Sequence, residues 1–206
     1  MNIIDISLPL SADMPVYPGT ASTTVERVQS ASGGNVLSNI TLTSHAGTHV
    51  DAPSHSVAGA PAIDVLPLTT FYGDCRVLDL TSSQPSVSVA DLEAHDIQAG
   101  ERILLKTSNS ARGFATFYDD YIFLSPEAAT YLAAKKVALV GIDSLSIKQR
   151  GNPDNTAHTA LLSENIPILE GLNLREATPG TYTLCAFPLA FVGIDGAPTR
   201  AILLKP

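Results

Sequence analysis

Short apolar runs rich in Val, Ile and Leu recur along the chain, cut at close intervals by Gly, Pro, Ser and Asp. Residues 3–10 read as a short strand. Residues 22–28 look extended, Ser30–Gly34 is a turn, and residues 36–44 alternate in part and are rich in β-formers. That second segment is predicted to run as a strand into residues 45–55. Residues 56–70 read as a loop. Further strands are predicted over 74–81, 101–107, 136–143, 166–170, 181–189 and 198–204. Ser88 is placed to cap a short helix through His95. Ser125, followed by Pro126 and Glu127, is placed to cap a longer one ending near Lys135. Thr159–Glu164 reads as a short helix, Leu172–Gly180 as a turn of helix and a tight turn, and Ser108–Phe114 as a polar loop at a strand's carboxyl end. A helix, a short turn and then a Val/Leu/Ile strand is an α/β signal, here a mixed central sheet with flanking helices. The 206 residues fit a single domain. The chain carries no repeat, and neither G-x-G-x-x-G nor a P-loop supports a nucleotide site.

Composition narrows the function classes. Charged residues are only 16% of the chain against 45% hydrophobic, and 12 Lys+Arg face 20 Asp+Glu for a net charge of -8. With no basic run, nucleic acid is excluded as an expected partner. So apolar a chain with so little surface charge is expected to bury surface against other subunits. The N-terminus lacks the pattern of a signal peptide, and no apolar run approaches the roughly 20 residues that span a bilayer. Cys75 and Cys185 lie in strand-like contexts and are expected to be free thiols. Cytoplasmic placement is the corresponding expectation.

The chemistry concentrates in His45-Ala-Gly-Thr-His49-Val-Asp51-Ala-Pro-Ser-His55. Three of the five histidines fall there, beside a carboxylate, and imidazole with carboxylate is the ligand set of Zn²⁺, Mn²⁺ or Fe²⁺. A helix is disfavoured by Thr43, Thr48, Val50, Gly47 and Pro53. In a straight strand His45 and His49 would stand about 13 Å apart, at roughly 3.3 Å per residue, too far to share an ion. The chain must bend between them, and Gly47 permits it. His49 and Asp51 share one strand face without distortion. His95 lacks ligand company and reads as a surface residue. Glu170 ends an apolar run, where a carboxylate needs a partner: a metal or an arginine such as Arg200. Tyr17, between two prolines, either packs locally or lines a pocket.

These residues resemble the metal-dependent cyclase-like hydrolase family, which includes bacterial arylformamidases. Residues 45–55 match every specified position of its motif H-x-G-T-H-x-D-x-P-x-H. Asp5-Ile-Ser, Pro15-Val-Tyr-Pro-Gly, Val140-Gly-Ile-Asp143, Ala157-His158, Pro167-Ile-Leu-Glu170-Gly and a late Pro-x-Arg-Ala fall in the family's order. The resemblance implies a swivelling β/β/α fold and a homodimer or homotetramer. It implies a divalent metal on His45, His49 and Asp51, with His158 and Glu170 completing a second site where two ions bind. Zinc is the implied ion, one or two, with manganese as the alternative. His55 is implied as the catalytic histidine. The implied reaction is hydrolysis of a small amide, such as N-formylkynurenine. Another cyclic amide or lactone and a non-catalytic metal-binding protein are the alternatives. Tyr17, Phe114 and Phe117 are candidate substrate-binding aromatics. The chain departs from the family's formamidases at Tyr17, usually tryptophan, at Thr20, usually an acid, at Asp143-Ser-Leu-Ser-Ile-Lys, usually Asp-Thr-Pro-Ser-Leu-Asp, and at Thr156, usually aspartate.

Overall fold

The computed structural model describes residues 2–29 and 33–205; the rest of the expected turn at Ser30–Gly34 lies outside them. In chain order the elements are β1 (Asn2–Asp5), β2 (Thr24–Gln29), β3 (Val36–Thr41), β4 (His49–Asp51), β5 (Tyr72–Asp79), β6 (Ser86–Val87), α1 (Val89–Glu93) and β7 (Arg102–Lys106). They continue with α2 (Asn109–Arg112), β8 (Phe123–Leu124), α3 (Pro126–Lys135), β9 (Leu139–Ile142), α4 (Thr156–Leu162), β10 (Ile168–Glu170), β11 (Gly180–Cys185), β12 (Gly196–Pro198) and β13 (Ile202–Lys205).

Nine strands form one mixed sheet in the order β1-β13-β11-β5-β7-β9-β10-β4-β12. Its centre, β5-β7-β9-β10, is parallel, and the strands on both flanks are antiparallel. Each face has its own apolar core. Leu92, Leu124, Leu132, Leu161 and Ile142 pack between α1, α3, α4 and the sheet. Ile6, Val50, Phe71, Leu172, Tyr182 and Leu203 pack on the other face, where the sheet curls over loop residues. The parallel strands read as continuous apolar runs because both their faces are covered. This is the mixed α/β architecture expected, with a curled central sheet and flanking helices.

Local chemistry accounts for the differences from expectation. The strand at residues 36–44 ends at Thr41 and pairs only with β2, as a two-stranded hairpin whose β3 side chains are all exposed. It does not run into the histidine window, because a turn closes first, with Ala46 donating to the carbonyl of Thr43 at 3.2 Å. The loop at 108–114 contains one helical turn, α2. The buried Asp143 carboxylate nucleates it by accepting from the backbone N–H of Thr107 and of Ser110, at 3.0 and 3.1 Å. The helix expected from Thr159 starts at Thr156, because Asp154 Oδ1 takes both the N–H and the hydroxyl of Thr156. Leu172–Gly180 holds no helical turn; Leu172 instead bridges Ser7, and Leu174 and Ala177 plug the core. The first strand stops at Asp5, and a short additional strand, β12, forms at 196–198 with Pro198 on the sheet's edge, where a missing N–H is tolerated.

Cys75 and Cys185 are both free. Among the described residues, no helix is long and apolar enough to cross a membrane.

Candidate metal centre

The window occupies one edge of the sheet, where β4 lies between β10 and β12. Register sets the neighbours: His49 faces Glu170 across β10 and Pro198 across β12, and Asp51 faces Ile168 and Gly196. Alternation puts His49 and Asp51 on one face, and cross-strand pairing puts Glu170 there too. The bend required at Gly47 is present, at φ +60°. It brings the His45 and His49 ring centroids to 4.9 Å, well inside straight-strand separation. Gly171 and Gly196 let backbones close in around the bend: a Cβ at 171 would stand 2.3 Å from Gly47 O, and one at 196 would stand 2.6 Å from Val50 O and 3.1 Å from the His45 ring. Thr48 pins the bend from below, donating to Gly171 O at 2.6 Å while accepting from Leu8 N–H at 2.7 Å.

All five expected ligand side chains converge. Asp51 Oδ1 is 2.7 Å from His45 Nδ1 and 3.3 Å from His49 Nε2. Its other oxygen, Oδ2, is 3.6 Å from His158 Nε2, which α4 delivers from above. Glu170 reaches both sides, with Oε2 3.3 Å from His49 Nε2 and Oε1 3.3 Å from His158 Nε2. Glu170 Oε1 also accepts from Ile147 N–H. Arg200, the alternative partner for Glu170, pairs with Asp5 instead. His49 and Asp51 are each only 1% exposed. Despite these short approaches, His49 Nε2 and Asp51 Oδ2 make no hydrogen bond. Buried polar atoms left without partners are costly, and so are two neighbouring buried carboxylates. A cation at their centre satisfies both. Two sets of donor atoms lie within 4.8 Å of one another: His45, Asp51 and His55, and His49, Asp51 and Glu170.

Protons respond to the same demand for positive charge. Burial opposes charge on His49, but the Asp51 and Glu170 carboxylates beside it outweigh burial and raise its pKa to about 10. Burial likewise opposes charge on His45 and His158, yet Asp51 raises the first and Glu170 the second. Asp51 is held well below the usual carboxylate range by His45 and His49, although burial pushes the other way.

His55 ends a 3-10 turn that Pro53 opens, and its ring lies 4.2 Å from that of His45 and 5.4 Å from that of His158. Its side chain is 30% exposed, near the 23% of His45 and in contrast with the buried His49, Asp51, His158 and Glu170. Asp195 holds it. That carboxylate stands 2.8 Å from His45 Nε2 and 3.4 Å from His55 Nδ1, and these imidazoles pull its pKa down to about 2 against the effect of burial. Asp195 is not among the residues the sequence singled out, since it falls between the strands predicted at 181–189 and 198–204, in the turn Gly193-Ile-Asp-Gly196. A carboxylate inside a glycine turn was the available signal.

A cavity of about 300 Å³ opens over the centre, lined by His45, His55, His158 and Glu170 with Tyr17 and Lys148. Tyr17 meets Phe117 edge-on at 5.4 Å, so Phe117 stands behind the wall that Tyr17 presents. Phe114 lines a separate cavity with Asn109 and Tyr118. His95 is half-buried on the far side of the fold and gives its carbonyl to Arg76.

Comparison with known proteins places this arrangement. The Cyclase family profile matches residues 4–149. A kynurenine formamidase of Salinibacter ruber is 39% identical over 207 residues, covering 98% of this chain and 97% of the relative. A solved structure described as a potential metal-dependent hydrolase with cyclase activity superposes with a TM-score of 0.89 at 35% identity, covering 100% of this chain and 99% of the other. An isatin hydrolase bound to the product analogue thioisatinate shares the fold, with a TM-score of 0.85 at 21% identity over 99% and 92% of the two chains. The chain thus belongs to the cyclase-like metal-dependent hydrolase family, related to kynurenine formamidases.

Proposed function

We propose that the protein is a metal-dependent arylformamidase, hydrolysing the N-formyl group of an aromatic amine such as N-formylkynurenine. The observation that carries this is the largely buried, mutually crowded set of donors around Asp51, three of whose atoms, His49 Nε2, Asp51 Oδ2 and His158 Nδ1, lack any hydrogen bond. The 39% identity to a kynurenine formamidase supports the substrate class. His45, His49 and Asp51 are the proposed ligands of one ion, and Asp51, His158 and Glu170 of a second. Zinc suits this nitrogen and oxygen set, and manganese is the alternative. When bound, such an ion supplies an acidified water and a polarised carbonyl.

The chain's own residues do the rest. Tyr17 presents an aromatic wall to the substrate ring, backed by Phe117. Asp195 occupies His55 Nδ1, which leaves Nε2 to handle the proton. His55 accepts the proton of the attacking water as the C–O bond forms at the formyl carbon, and returns it to the leaving nitrogen as the C–N bond breaks. The products are formate and the aromatic amine. The His55 side chain is partly open to solvent, as a group that exchanges protons requires.

We also propose a homodimer or homotetramer in the cytoplasm, acting on a small molecule rather than nucleic acid. Exposed Val36, Leu37 and Ile40 on the hairpin, with Phe187 and Phe191, support burial against a second copy. The free thiols and net charge of -8 support the other two assignments.

The test pairs metal analysis with turnover. His55→Ala is expected to keep its metal and lose at least about 100-fold in kcat, the scale of general acid-base catalysis. Asp51→Ala is expected to lose both. Equal metal loss in the two variants refutes the division of roles. Bound metal without turnover of N-formylkynurenine refutes the arylformamidase assignment, and bound metal without turnover of any compound in a broad amide and lactone panel that includes isatin refutes the enzymatic one.

A further inference from the structure

Lys148 belongs to the same cavity but takes no part in the reaction proposed above. Its backbone is fixed from both sides: Ile147 N–H donates to Glu170 Oε1 at 2.6 Å, and the Tyr121 hydroxyl donates to Lys148 O at 2.5 Å. Residue 148 is therefore tied to the centre and to the aromatic cluster behind Tyr17 at once. Its side chain lines the cavity beside His55, His158 and Tyr17. Nζ stands 3.5 Å from Asn155 Oδ1, a long contact with another cavity-lining side chain. Among the described residues it forms no ion pair, whereas nearby Arg150 is taken up by Asp119 at 3.2 Å. Exposed Asp154 is engaged by the Thr156 N–H and hydroxyl instead.

A half-buried ammonium without a carboxylate partner, on the wall of a small cavity, attracts an anion there and repels a second cation. The carboxylates at the centre do not meet this need, since they already face the three imidazoles and would face the metal. We propose that Lys148 is a specificity-determining residue that binds a carboxylate of the substrate. The protein then prefers anionic arylformamides, which carry a carboxylate beside the formamide, over neutral ones. This rests on the arylformamidase reading and adds the charge of its substrate.

The test compares N-formylanthranilate with formanilide, which lacks the carboxylate, on metal-loaded wild type, Lys148→Met and Lys148→Arg. Wild type is expected to favour the anionic substrate in kcat/KM by about 10-fold, the scale of one hydrogen bond to a charged group. Lys148→Met is expected to lose that preference through KM while turning over formanilide as wild type does. Lys148→Arg is expected to keep it. Equal losses on both substrates, or an unchanged preference in Lys148→Met, overturns the proposal. If wild type hydrolyses neither compound, the arylformamidase reading fails, and calorimetry with anthranilate and aniline then decides the present one. Tighter binding of anthranilate to wild type than to Lys148→Met upholds it, and equal binding refutes it.

Discussion

Gly171→Ala probes how tightly the bend that forms the centre is packed. Gly171 has φ +67°, and its α-carbon faces the bend directly. An added Cβ would stand 2.3 Å from Gly47 O, 2.9 Å from Gly47 C and 3.2 Å from Thr48 N. All three are backbone atoms, so no side chain can swing away. Restoring a contact of roughly 3.5 Å requires about 1 Å of backbone movement. The left-handed conformation costs about 1–2 kcal/mol for alanine, and the overpacking about 1–3 kcal/mol more. The sum, roughly 2–5 kcal/mol, corresponds to a fall in melting temperature of about 5–20 °C for a chain of this size. Gly59→Ala is the control: its φ is +76°, but nothing lies within 4 Å of the added carbon. It should show the conformational part alone, about 1–2 kcal/mol. The assay is thermal unfolding of both variants, with and without zinc, alongside measured metal content. Displacement of Gly47 moves His45 and His49 apart, so Gly171→Ala is also expected to bind zinc more weakly than Gly59→Ala. Equal melting temperatures and equal zinc contents in the two variants would show that the close approach does not build the centre.

Two further outcomes follow from the same geometry. Asp195→Asn, which keeps shape but loses charge at His45 Nε2 and His55 Nδ1, is expected to weaken zinc binding by about 10–100-fold, read by competition with a chromophoric chelator; unchanged affinity would remove Asp195 from the centre. For the metal-free protein, His49 is raised on folding from 6.5 to about 10, so its contribution to stability is complete below about pH 6.5 and is lost as pH rises toward 10. Melting temperature without metal should therefore fall across that window, and less so with zinc, which takes the place of the protons; a flat metal-free profile contradicts the arrangement.

How much of this was legible in the chain depended on the range of the interaction. The window declared its chemistry because ligand types and spacing are local. The bend was legible because straight-strand distances forbid a shared ion and glycine readily takes the left-handed backbone that the bend uses. The buried strands were legible from their Val, Leu and Ile runs. Three features were not. Asp195 reaches His45 across 150 residues, and no local pattern marks such a partner. Turn α2 depends on Asp143, which is supplied by a different strand end and polarises Thr107 and Ser110 from outside. The hairpin β2–β3 carries strand-like residues yet joins no larger sheet, because propensity reports a preference for extended backbone and not the identity of the neighbour.

The placement of β4 between β10 and β12 sets an order in time. Ribosomes release the window roughly 150 residues before Asp195, which at about 5–20 residues per second is an interval of roughly 10–30 s. His158, and then Glu170 with β10, are made only late in that interval, and Asp195, followed by β12, only at its end; before His158 and Glu170 are made, β4 has neither sheet neighbour. The nascent chain offers an ion only the three flexible donors at 45, 49 and 51, without the strands that hold them in register. A fragment ending before residue 156 therefore carries the whole motif without the helix and the strand that bring His158 and Glu170 to it.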